Sequence, residues 1–260
     1  MTLTRFPRSL ATVAVLSLIL CGAAATSSRK AAAPANVGTI PEVLRTQDWP
    51  GADVDSVALW RDSKGGALLF VTAKQANAVY ACDGLTGKIV ATVGKPGKGL
   101  GEFSRPNGVA VIDEYLIVTE RDGHRVQVFD LPSLKPVLFF GQEVLLLPYG
   151  LTVFRSGGGY ELYVTDDYPV GNASRRVKHF RLVKSEGVLD AKLINVFGET
   201  RGPGVLQKVE SILADPTRDR LYICDEATRE IKIYSLAGQF TGRTIGKGII
   251  RFDPEGMKRA

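Results

Sequence analysis

Five stretches of this chain repeat one short pattern at a spacing of roughly 50 residues, which limits the possible architectures to a few. They are Val54-Asp-Ser-Val-Ala-Leu59, Pro106-Asn-Gly-Val-Ala-Val111, Pro148-Tyr-Gly-Leu-Thr-Val153, Val209-Glu-Ser-Ile-Leu-Ala214 and Pro254-Glu-Gly-Met257. Each sets a small residue (Ser56, Gly108, Gly150, Ser211, Gly256) ahead of apolar ones. A second apolar run follows in four units: Leu68–Thr72, Tyr115–Thr119, Leu162–Thr165 and Leu221–Cys224. A third run alternates, as in Arg125-Val-Gln-Val-Phe129 and Glu230-Ile-Lys-Ile-Tyr234, and a fourth ends at Gly94, Gly141, Gly198 and Gly246. Period-two alternation bounded by glycine-rich turns is the signature of strands. Four strands per unit, with no helical stretch, predict an all-β chain folded as a β-propeller of four-stranded blades. A β-sandwich would not give the same order of motifs four times. Extra length in the third unit is expected as insertions near Ser156–Gly159 and Pro169–Ser174.

Four units are complete, and the fifth breaks off in its first strand at Pro254–Met257. A propeller must close, because each blade packs against two neighbours. The expectation is therefore a truncated form of a six-bladed parent, or a ring completed by a second chain. Ahead of the repeats, Arg5 and Arg8 precede the apolar run Leu10–Leu20 and the small residues Gly22–Ala25. That is the layout of a secretory signal peptide over 1–25, and the run is too short for a stable membrane span. Residues 26–48 read as a flexible lead-in and 49–260 as the propeller. The expected location is periplasmic or extracellular. There, Cys82 and Cys224 either pair or serve as small buried strand residues. Asn172-Ala-Ser174 fits a glycosylation sequon.

Thirty-three basic and 27 acidic residues are interspersed along the chain without a basic stripe, so nucleic acid is not an expected partner. Two histidines, His124 and His179, exclude a multi-histidine metal site and leave little for a Ser-His-Asp arrangement. Carboxylates recur instead. Glu120, Asp166-Asp167 and Asp225-Glu226 follow the second strand of three units, Glu210 and Glu255 share a position in the first strand, and Asp53 and Asp55 flank the first unit's start.

Gly97-Lys-Gly-Leu-Gly-Glu-Phe103 followed by Arg105-Pro-Asn-Gly-Val-Ala-Val111 resembles an NHL repeat. The first unit, with Ala52-Asp-Val-Asp-Ser-Val-Ala-Leu-Trp60, Lys74 and the turn Leu85-Thr-Gly-Lys88, resembles the opening blade of β-propeller phytases. The fourth unit, with Leu221-Tyr-Ile-Cys-Asp-Glu226, resembles a later blade of the same family, and Phe252–Gly256 the start of the next. Val57 and Ser211 depart from the family's Pro and Gly. The resemblance implies a secreted, calcium-dependent phosphomonoesterase acting on phytate or a similar phosphorylated substrate. Asp53, Asp55, Glu210, Asp225, Glu226 and Glu255 would be metal ligands and Lys74 a phosphate contact. By repeat position, Glu120, Asp166 and Asp167 join the ligands and Arg121 joins Lys74. Calcium takes six to eight oxygen ligands, so such a site needs carboxylates converging from several strands. The other expectations are a non-catalytic NHL-type propeller that binds a protein or glycan, and an inactive truncated homologue.

Overall fold

A computed structural model describes residues 41–42, 45–168 and 176–257. The expected signal peptide, most of the lead-in and the Asn172 sequon lie outside the described residues. All strands belong to one compact unit, Glu42–Ala260, arranged as four antiparallel four-stranded sheets, each a simple meander. Blade 1 comprises β1 (Val54–Arg61), β2 (Ala67–Ala73), β3 (Ala78–Asp83) and β4 (Ile89–Val93). Blade 2 comprises β5 (Pro106–Ile112), β6 (Tyr115–Glu120), β7 (Arg125–Asp130) and β8 (Pro136–Phe140). Blade 3 comprises β9 (Pro148–Ser156), β10 (Gly159–Asp166), β11 (Val177–Ser185) and β12 (Val188–Phe197). Blade 4 comprises β13 (Val209–Asp215), β14 (Arg220–Asp225), β15 (Glu230–Tyr234) and β16 (Phe240–Ile245).

Short polar turns set these meanders. Between β3 and β4, the Asp83 carboxylate accepts the backbone N–H groups of Leu85 and Thr86 at 3.1 and 2.7 Å, and Gly87 takes the positive φ of 68° that closes the turn. In blade 3 the residues around Gly157-Gly158 form a tight turn between β9 and β10, not an insertion. Part of the extra length goes into longer strands, up to ten residues in β12, and part into the connection between β10 and β11, where the expected insertion at Pro169–Ser174 lies outside the described residues.

The first strand of each blade lies innermost, and neighbours meet in the order β1, β5, β9, β13. Three apolar layers fill the spaces between blades. Phe70, Phe103 and Phe129 sit between blades 1 and 2, Leu162, Val128 and Phe180 between 2 and 3, and Tyr163, Leu221 and Tyr234 between 3 and 4. Each fully buried side chain of this size contributes about 1.5–3 kcal/mol, so the interfaces dominate cohesion. On the other face of blade 1, Val57 and Leu59 are exposed. Alternation along β1 puts them opposite Ala58 and Trp60, which pack toward blade 2.

A hydroxyl bridge joins the inner strands. Thr72 Oγ1 accepts the Ser56 N–H at 2.9 Å and donates to the Asn107 carbonyl of the next blade at 2.7 Å. Thr119 links Gly108 N–H to the Tyr149 carbonyl, and Thr165 links Gly150 N–H to the Glu210 carbonyl at 2.9 Å. A hydroxyl has one proton to give and lone pairs to accept with, so it serves both blades at once. The approach requires glycine: a Cβ on Gly150 would lie 2.0 Å from the Glu210 carbonyl oxygen. In blade 4 the equivalent residue is Cys224, buried beside Ser211.

Candidate functional site

Each inner strand carries a β-bulge near its start, between Val54 and Val57 in β1, Pro106 and Val109 in β5, and Val209 and Ile212 in β13. A corresponding irregularity lies opposite Val164–Asp166 in β9. Bulges re-aim side chains. Here they mark one repeat position, occupied by Asp55, Asn107, Tyr149 and Glu210, and Glu255 holds the matching sequence position in the segment that follows blade 4. Below lie the small residues, and below them Val57, Val109, Leu151, Ile212 and Met257. Together these three tiers line a cavity of about 570 Å³, apart from Asn107, which is buried behind it. The cavity is the mouth of the central channel, with a polar rim and an aliphatic floor.

A second tier comes from the residue after each second strand. Lys74, Arg121, Asp167 and Glu226 donate their backbone N–H groups to the carbonyls of Asp53, Arg105, Leu147 and Lys208, at 2.9–3.0 Å. Main-chain bonds thus hold the four in equivalent places. Lys74 Nζ stands 3.4 Å from Asp53 Oδ1 and 3.6 Å from Asp55 Oδ2, and Arg105 Nη2 lies 3.8 Å from Asp53 Oδ2. Arg121 pairs with its exposed neighbour Asp122 at 3.0 Å. Across the mouth, Lys208 Nζ bridges Glu210 at 3.2 Å and Glu226.

The electrostatics follow from crowding and burial. Burial, opposed by Lys208 and reinforced by the nearby Glu210 carboxylate, holds Glu226 above the usual carboxylate range. Asp167 is raised chiefly by burial, with Lys208, Arg176 and, less strongly, Arg121 pulling it down. Burial alone would lower the Lys208 ammonium, but the hydrogen bonds to Glu226 and Glu210 outweigh it and raise its pKa. The Tyr149 phenol is pushed far up by burial and then by the charges of Asp55 and Glu210.

Glu120, Asp166 and Asp225 do not reach this mouth surface; all three are fully buried beneath the loops that lead into the inner strands. Glu120 accepts from Arg125 Nε at 2.6 Å, Gln127 Nε2 at 2.7 Å and Ser104 N–H at 2.9 Å. Asp166 accepts from the backbone of Leu146 and Leu147 and from Lys178. Asp225 accepts from the backbone of Gln207 and Lys208 and from Lys232 Nζ at 2.6 Å. Each is a latch: a buried acid neutralised by a base or amide from the third strand, fixing a loop by its main chain. Blade 1 has Ala73 at this position.

The structure therefore gathers Asp53, Asp55, Lys74 and Arg121 on one side of the mouth and Asp167, Glu210 and Glu226 on the other, with Glu255 on the channel wall. Among the described residues, no three His, Cys, Asp or Glu side chains converge closely enough to hold a metal ion. Asp53, Asp55, Glu210 and Glu226 pair instead with Lys74, Arg105 or Lys208. Cys82 and Cys224 are free and buried, and burial pushes the Cys224 thiol up to about 11. Asn107 and Tyr149 belong to the ring although neither is charged. The signal for them was in the repeat itself, since both occupy the position before the recurring small residue.

The architecture is that of a β-propeller, four blades built from one repeated unit. Among solved structures, the chain is similar to the hydrazine synthase of Kuenenia stuttgartiensis, a protein that contains a β-propeller. The match has a TM-score of 0.54 and 16% identity, and covers 80% of this chain and 53% of that one. The chain thus spans about half the length of that relative, and the likeness is one of fold. No family model and no curated protein matches the sequence. Among the described residues no helix is long and apolar enough to cross a membrane.

Proposed function

We propose that this chain is a ligand-binding β-propeller, exported to the periplasm or beyond, whose channel mouth takes a small charged molecule. The observation that carries this reading is the set of polar side chains Asp55, Tyr149 and Glu210, borne on the irregular starts of three inner strands, and Glu255 from the segment after blade 4, presented above an aliphatic floor. A concave apolar site with a few convergent polar groups is the usual form of a small-ligand pocket. Export rests on the charged and apolar pattern of residues 5–25. The exposed Val57 and Leu59 on blade 1 call for a further blade, from more of this polypeptide or from a second chain completing the ring.

A second reading is calcium-dependent phosphomonoester hydrolysis of phytate, as in the phytase family that the sequence resembles. It is favoured by the adjacent Glu210 and Glu226 carboxylates, whose mutual repulsion a divalent cation would relieve. One experiment separates the two: thermal melts and phosphate release followed together, with calcium, phytate, both, and a panel of charged small molecules. A ligand present at a hundred times its Kd adds about 2.7 kcal/mol, a shift of several degrees. The binding reading expects such a shift from a panel member, lost in Glu210→Gln and Tyr149→Phe, and no phosphate release. Release that requires calcium and disappears in Glu210→Gln would establish the phytase reading instead. A shift untouched by both substitutions would place the site away from the mouth.

A further inference from the structure

The four second-tier positions are equivalent in backbone and opposite in charge. Lys74 and Arg121, from blades 1 and 2, are cationic; Asp167 and Glu226, from blades 3 and 4, are acidic. Arg105 adds to the first side, where Asp53 and Asp55 pair with Lys74 and Asp53 also with Arg105. Glu210 adds to the second, where Lys208 pairs with it and with Glu226. The fold imposes no such division, because one main-chain hydrogen bond holds all four residues alike. The two sides border one cavity, which Asp55 of blade 1 and Glu210 of blade 4 both line.

Unsatisfied polar atoms point the same way. On the cationic side Arg105 Nε is buried with no acceptor, and on the acidic side Glu226 Oε1 is buried with no donor. Glu226 as a whole is 5% exposed. Asn107, fully buried in β5 close to Arg105, has neither amide atom in a hydrogen bond, although the Tyr149 hydroxyl lies near it. Buried polar groups without partners are costly, and in native proteins each calls for an explanation. Here the cationic side lacks an acceptor at Arg105 Nε and the acidic side lacks a donor at Glu226 Oε1.

Resting on the binding reading above, we propose that the mouth selects a small zwitterion. Its anionic group lies over blades 1 and 2 against Arg105 and Arg121, and its cationic group over blades 3 and 4 against Asp167, Glu210 and Glu226. A simple anion would meet Asp167, Glu210 and Glu226 unfavourably, and a simple cation would leave Arg105 Nε without an acceptor. A dipolar ligand satisfies both, in a recess where partial exclusion of water strengthens each contact. Lys208 already sits between Glu210 and Glu226, so the ligand's cationic group joins or displaces that ammonium.

Three probes of one length test this: 6-aminohexanoate, hexylamine and hexanoate, titrated calorimetrically into the purified protein. The expected result is 6-aminohexanoate binding at least about tenfold tighter than either monopolar analogue. Arg121→Gln should erase that advantage while leaving hexylamine unchanged, and Glu226→Gln should weaken both amines. Far-ultraviolet circular dichroism confirms that the variants fold, and Arg105→Gln is the second probe of the cationic side. Equal affinity for hexylamine and 6-aminohexanoate, or tightest binding of hexanoate, overturns the zwitterion inference while the mouth stands as a binding site. If none of the three binds, the inference falls. The binding reading is then judged separately, by whether any other ligand's thermal shift is lost in Glu210→Gln.

Discussion

Single atoms decide whether adjacent blades can meet. Replacing Gly150 by Ala would put a methyl group 2.0 Å from the Glu210 carbonyl oxygen, and neither partner is a flexible side chain that could yield. The expected cost is about 1–3 kcal/mol, read as a lower urea midpoint at unchanged slope. Thr119→Val keeps the shape but removes the hydroxyl that serves Gly108 and Tyr149. Two buried main-chain groups lose a partner, at about 1–3 kcal/mol. The thiols offer a different test. With a pKa near 11, Cys224 is thiolate in only about one molecule in a thousand at pH 8. Native protein should therefore react slowly with a disulfide reagent at that pH, and both cysteines should react once urea unfolds it. At Glu226 the folded pKa lies above the unfolded value. The folded state thus holds this proton more tightly, and the associated stability is present below the unfolded pKa and lost as pH rises through the folded one. Measured against pH from 4 to 7, the stability difference should move in favour of Glu226→Gln over the wild type as pH rises.

The strands and loops show why the sequence was readable in part. Alternation and turn chemistry are local, so β1 to β16 and their meander order could be inferred from runs such as Arg125-Val-Gln-Val-Phe129 and the turn after Asp83. The bulge position was half legible, because Glu210 and Glu255 advertise themselves by charge while Asn107 and Tyr149 pass as parts of a Pro-x-Gly motif. Burial of the acids was not legible at all. Glu120 and Arg121 are adjacent and both charged, yet one is sealed beneath a loop and the other faces the mouth. What separates them is the segment Lys98–Ser104 folding over Glu120, held by Arg125 through the carbonyls of Lys98, Gly99 and Glu102. No pattern within the strand reports what will pack above it. The latch has a measurable consequence. Asp225→Ala would leave the Lys232 ammonium buried without its carboxylate, and the amides of Gln207 and Lys208 without an acceptor. Losing one partner of a buried pair costs about 3–5 kcal/mol. Urea unfolding should show that loss, and hydrogen exchange should speed up at Gln207 and Lys208.

Across the whole molecule, stability resides between blades more than within them, because each sheet buries its faces only against its neighbours. The main-chain anchoring of the residues after the second strands is independent of that cohesion, although Glu226 itself is buried against Lys208. These four charged residues are positioned by their own N–H groups donated to Asp53, Arg105, Leu147 and Lys208, a contact that any residue except proline makes equally well. Arg121→Glu should therefore alter stability by no more than about 0.5 kcal/mol, as a melt would show, while recasting the charge of a quarter of the rim. The scaffold works as a frame with interchangeable inserts. A mutation that rewrites what the mouth recognises need not disturb folding, so one such scaffold can be turned from ligand to ligand by single substitutions at its exposed addresses.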